Sequence, residues 1–138
     1  MDAAEARALI SSARVARLAT VDSEGQPHLV AITFAVDGDS IVSAVDHKPK
    51  RTTRLRRLAN IAANPRVSVL ADHYEDDWSK LWWARADGLA RIVEPGADEH
   101  DSVVTLLAGR YDQYDERRPD GPAIVISVSR WSGWRARP

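Results

Sequence analysis

Two turn clusters near the start of the chain constrain its fold more than any other feature. Ser23-Glu24-Gly25-Gln26-Pro27 and Asp37-Gly38-Asp39 separate three runs rich in apolar and β-branched residues: VARLATVD (15–22), HLVAITFAVD (28–37) and SIVSAVD (40–46). Gly, Pro and Asp in such clusters supply the backbone conformations that reverse a strand. The three runs are therefore predicted to pair as an antiparallel meander.

The rest of the chain alternates helix and strand patterns. DAAEARALISSA (2–13) carries helix formers with an early Asp and Glu. In RLRRLANIAANP, Leu55, Leu58, Ala59 and Ala62 fall at i, i+3, i+4 and i+7, which is one face of a helix ended by Asn64-Pro65. RVSVLADHYE (66–75) and SKLWWARADGLARIVE (79–94) read as strands, the second bent at Gly88. PGADEHDSVVTLLAGRY (95–111) reads as a helix with acids in its first turn, DQYDERRPDGP as a loop, and AIVISVSRWSGWRA (123–136) as the last strand. The predicted order is α-β-β-β-α-β-β-α-β: mainly β, a small closed barrel with helices at its rims. At 138 residues, with no repeat or linker, residues 1–138 are predicted to form one domain.

Composition excludes several chemistries. With no cysteine, disulfides and thiolate metal sites are impossible. No apolar run approaches the ~20 residues of a membrane span, and the N-terminus lacks a signal-peptide layout. A cytoplasmic protein without a membrane partner is expected. His28, His47, His73 and His100 show no metal-ligand spacing, and His73 among Asp72, Glu75, Asp76 and Asp77 reads as a polar loop, so no metal site is predicted. No G-x-S-x-G, Walker A or G-x-G-x-x-G occurs. The catalytic residues are not legible.

The strongest local anomaly is charge. HKPKRTTRLRRL (47–58) holds six Lys or Arg and no acid, in a chain of formal net charge −1. A local basic block suits one anionic ligand better than nucleic acid, which favours a wider basic surface and would bind with a steep salt dependence. Lys48, Lys50 and Arg51 precede a helix predicted to start near Thr52 or Thr53. Its free N–H groups, those cations and a Thr hydroxyl could hold a phosphate. The same residues also suit a simple N-cap with solvated cations, and Arg56 and Arg57 are expected to face outward. Trp78, Trp82 and Trp83 cluster at the junction of the fourth and fifth predicted strands, where a core, a subunit interface or a planar ligand would each use them.

These segments, taken in order, resemble the pyridoxamine-phosphate-oxidase-like split β-barrel family. The carriers are ARLATVDSEGQP, the Lys/Arg-Thr-x-x-Leu run before NPRVS, and the DDWS…A-x-G stretch, across roughly residues 10–130. Within the family the chain looks most like the actinobacterial branch of coenzyme F420-dependent enzymes. The resemblance implies an FMN-binding-like split barrel and a homodimer with the cofactor at the subunit interface. It also implies hydride transfer between reduced F420 and a small organic substrate, with FMN as the alternative cofactor and a non-catalytic carrier as the alternative role. It assigns the cofactor phosphate to Lys48, Lys50, Arg51 and Thr52, and places His28 to Thr33 near the ring system. Trp78 matches a family Trp in the cofactor region. Ala31 departs from the polar residue that relatives often carry mid-strand, and it can offer only backbone contacts.

Overall fold

The computed structural model describes residues 1–45 and 55–137. Its elements are α1 (Ala3–Ser12), β1 (Ala16–Val21), β2 (Pro27–Ile32), β3 (Ala35–Asp37), β4 (Ser40–Ala44), α2 (Arg56–Ala63), β5 (Arg66–His73), a 3-10 turn (Trp78–Lys80), β6 (Trp82–Val93), α3 (Asp98–Arg110), α4 (Gln113–Glu116) and β7 (Ala123–Arg135). The strands form one seven-stranded sheet in the order β2-β1-β5-β6-β7-β4-β3. Every pair in it is antiparallel.

The predicted meander becomes two hairpins at opposite edges of the sheet. The run HLVAITFAVD, read as one strand, is two strands: β2 pairs only with β1, and β3 only with β4. Thr33 and Phe34 alone separate them. Three residue steps span at most ~11 Å, so the two edges lie side by side and the sheet curls on itself. This is the split barrel expected from the sequence, with the seam at Thr33–Phe34. Gly38 takes φ +60° in the β3–β4 turn, a conformation that favours glycine.

Other departures are local. The predicted strand 79–94 starts at Trp82 because Asp77 caps the preceding 3-10 turn, its carboxylate accepting from the backbone and hydroxyl of Ser79. The predicted loop after residue 111 contains α4. Helix α2 starts at Arg56, with Leu55 at the N-cap; Thr52 and Thr53, the predicted start, lie outside the described residues. The buried face of α2 is Leu58, Asn60 and Ile61, whereas Ala62 is exposed. The bend at Gly88 is a β-bulge.

One core fills the barrel, with Phe34, Leu18, Ile41, Val69, Ile124 and Ile126 among its most buried members. A second lies beneath α3 and α4, where Val103, Leu107, Tyr111 and Tyr114 meet Val42 and Val125. Strand β7 faces both, which is why AIVI at its start does not alternate with polar residues. No helix among the described residues is long and apolar enough to cross a membrane.

Candidate functional site

The seam of the barrel forms one side of a cleft of about 200 Å³. Ala31 near the end of β2, Thr33 of the link, Ser43 and Ala44 of β4, Arg57 of α2 and Tyr114 of α4 all line it. The Thr33 and Tyr114 hydroxyls share a hydrogen bond of 2.8 Å, and the Ser43 hydroxyl donates to the Thr33 carbonyl at 2.7 Å.

The seam is pinned from behind. The backbone N–H of Phe34 donates to the Tyr111 hydroxyl at 3.1 Å, and its carbonyl accepts from Arg110 at 2.9 Å and from Tyr111 at 3.1 Å. Arg110 also donates to the Ala13 carbonyl, while Arg14 donates back to the Arg110 carbonyl at 2.8 Å. Arg110 thus satisfies the carbonyl of Ala13, the C-cap of α1, and Arg14 that of the last residue of α3, helix ends where cations are favoured. Burial lowers the pKa of the Arg110 guanidinium, Tyr111 opposes that shift and Arg14 adds to it.

Arg57 is the charged member of the cleft. It sits in the first turn of α2, half-buried, and burial lowers its pKa against an opposing influence of Tyr114. No carboxylate pairs with it among the described residues. The expectation that Arg57 faces outward is therefore corrected. A buried stripe of Leu55, Leu58, Ala59 and Ala62 would turn Arg57 to solvent, but the helix docks on a face that shares only Leu58 with it. Arg57 lies i, i+4 from Ile61, so a face built on Ile61 turns it inward. Tyr114 carries no signal in the sequence, because its four-residue helix is too short to show a period.

The structure separates the other predicted site residues. Thr33 lines the cleft. His28 stands on the other face of β2, opposite Thr20 in the β1–β2 register. Thr20 is fully buried and accepts from Asn60 at 3.0 Å, and the His28 Nδ1 is buried without a hydrogen-bond partner. A period of two puts Leu29, Ala31 and Thr33 on one side and His28 on the other. Trp78 is 76% exposed on the 3-10 turn and lines no part of the cleft. Lys48, Lys50, Arg51 and Thr52 lie outside the described residues, but both ends of their segment border the cleft, at Ala44 and Arg57. No group of three or more His, Asp or Glu among the described residues is placed to hold a metal ion.

From Ala31 the cleft opens onto the outer face of the sheet. Register puts Ala31, Arg17, Leu70 and Arg85 in one row of that face, and Leu29, Ala19, Ser68 and Asp87 in the next. The face mixes ion pairs with exposed apolar side chains: Arg85 pairs with Asp87, Leu29 is 70% and Leu89 54% exposed, and Trp83 stands opposite Trp134.

Comparison with known proteins agrees with this architecture. Among solved structures, the conserved hypothetical protein Rv2991 from Mycobacterium tuberculosis superposes with a TM-score of 0.76 at 26% identity, covering 98% of this chain and 85% of that one. A FAD-binding protein from Mesorhizobium loti gives 0.72 at 22% identity, covering 96% and 94%. The heme storage protein HutZ from Vibrio cholerae gives 0.71 at 18% identity, covering 98% and 95%. No curated protein matches the sequence. The family model for pyridoxamine 5'-phosphate oxidase matches residues 3–135. Nearly the whole length is included in that match, and the chain belongs to the pyridoxamine 5'-phosphate oxidase family.

Proposed function

We propose that this chain is an oxidoreductase that binds a flavin-type cofactor in the cleft, F420 in preference to FMN, and passes hydride between it and a small organic substrate. The observation that carries the reading is the cleft itself. A guanidinium and a mutually hydrogen-bonded pair of hydroxyls face a floor of small strand residues at the two described ends of the most basic segment of the chain. That donor set fits a flat ligand with carbonyl oxygens and an anionic tail. Seven Lys or Arg and no acid between residues 47 and 71 suit the longer, more anionic tail of F420. The bound cofactor would supply the hydride chemistry; this chain orients it, offers charge and excludes water. Thr33, Arg57 and Tyr114 do the orienting, and Lys48, Lys50, Arg51 and Thr52 take the phosphate.

A cleft of about 200 Å³ is smaller than sites that enclose ligands of this size, roughly 300–1,000 Å³. A second copy completes it by covering the adjoining outer face. Leu29→Glu is then expected to make the protein monomeric at micromolar concentration, read by sedimentation velocity. Burying a Leu stabilises by ~1.5–3 kcal/mol and a two-fold axis counts it twice, so dimer affinity should fall about two to four orders of magnitude. A wild-type chain that is already monomeric would remove the dimer.

Parallel titrations with F420, FMN and heme, followed by tryptophan quenching, test the cofactor reading. F420 is expected to bind tightest. FMN preference would make the protein a flavin oxidoreductase, and heme alone would take it out of redox catalysis by deazaflavin. Replacing both Lys50 and Arg51 with Ala should weaken the preferred cofactor by about 1.5–3 kcal/mol for each charged hydrogen bond lost, with the melting transition unchanged. Equal affinity in the folded double variant would clear these residues of the phosphate role. Binding without reduction of any acceptor tried would favour a cofactor carrier.

A further inference from the structure

We infer that Arg57, together with the Thr33–Tyr114 hydroxyl pair, binds the carbonyl-bearing edge of a planar ring in its negatively charged form, and that this cluster does not contact the phosphate. The inference rests on the cofactor reading of the cleft and divides the ligand within it.

Three observations separate ring edge from phosphate. The cluster offers a single positive charge beside two neutral hydroxyls. A phosphate monoester near neutral pH carries close to two charges and a diester one, localised on strongly hydrated oxygens that are usually held by several cations or a fan of backbone N–H groups; a ring anion spreads one charge over a carbonyl edge. The walls between these donors are apolar, with Val15, Ala31 and Ala44 exposing no side-chain polar atom. Such walls suit the face of a ring and offer a strongly hydrated anion nothing. Finally, no carboxylate or histidine lines the cleft among the described residues, so Arg57 and the Tyr114 phenol set its field. A half-buried guanidinium whose charge is disfavoured by burial gains most from an anion that arrives partly desolvated.

Tail-less and phosphorylated forms of the same ring provide the test. Riboflavin and FMN form one pair, and the deazariboflavin chromophore of F420 and F420 itself form the other. Arg57→Gln should weaken both members of the bound pair by the same factor, about 10- to 100-fold, while Lys50→Ala/Arg51→Ala weakens only the phosphorylated member. Tyr114→Phe, which keeps the ring and its packing, should repeat the Arg57→Gln pattern at smaller amplitude. A second readout needs no affinity: the pH at which the bound ring ionises, followed in its visible spectrum, should rise in Arg57→Gln because the cation that favours the ring anion is gone. An Arg57→Gln effect confined to the phosphorylated member would overturn the inference and make Arg57 a phosphate ligand. No effect on either member, in a protein with an unchanged melting transition, would remove Arg57 from the site. Wild-type protein that binds none of the four compounds would instead overturn the cofactor reading, and the inference with it.

Discussion

Truncating Phe34 to alanine is expected to lower stability by about 3–5 kcal/mol, the largest loss of any single side chain in this protein. Phe34 is fully buried and is the bulkiest side chain so enclosed. It occupies the two-residue link that joins the sheet edges, so its ring fills the interior where the barrel closes. The Arg110 guanidinium lies 4.7 Å from the ring centroid, and that cation–π contact disappears with the ring. The backbone bonds to Tyr111 and Arg110 remain possible, so the fold should survive with a cavity rather than rearrange. Urea denaturation would show a lower midpoint with an unchanged slope. A loss below about 1 kcal/mol would mean that closure does not depend on this ring.

Gly88→Ala should destabilise by ~3 kcal/mol, at the upper end for overpacking, through backbone geometry alone. A Cβ at Gly88 would stand 2.2 Å from the Ser127 carbonyl oxygen and 3.0 Å from the Val128 Cα. Both are main-chain atoms of the neighbouring strand, so no rotamer change can relieve the clash. The bulge between β6 and β7 brings the strands this close, and the Ser129 hydroxyl ties it by donating to the Asp87 carbonyl at 3.0 Å. Gly109 provides the contrast. It lies in α3, where a methyl group in place of its hydrogen would have nothing within 4 Å, so Gly109→Ala should stabilise by roughly 0.4–1 kcal/mol. Thermal melts of the two variants should therefore move in opposite directions.

Local signals are legible in this sequence, and the seam is not. Asp37-Gly38-Asp39 announces a hairpin, Asp2 and Glu5 a helix start, and both form where the residues say they should. At Thr33–Phe34 there is no Gly, Pro or break in the alternation of HLVAITFAVD. The division into β2 and β3 is imposed by partners far along the chain, as β4 pairs with β7 about eighty residues later. The cleft is hidden for the same reason. Family resemblance points to Thr33, but Arg57 and Tyr114 reach it only because α2 and α4 dock as they do. His28 shows the reverse case: five residues from Thr33 on one strand, it is turned to the opposite side by parity alone.

The position of β7 inside the sheet, between β6 and β4, has a consequence for synthesis on the ribosome. The β3–β4 hairpin ends at Ala44, and the strand that pairs with it among the described residues begins at Ala123. At about 5–20 residues per second the nascent hairpin waits roughly 4–16 s for that neighbour to emerge. Throughout that interval Ile41 and Val42 have β3 on one side and no strand on the other, and the barrel cannot close. Translation speed and holdase chaperones, more than the final stability of the barrel, would then govern how much of this protein reaches its native state.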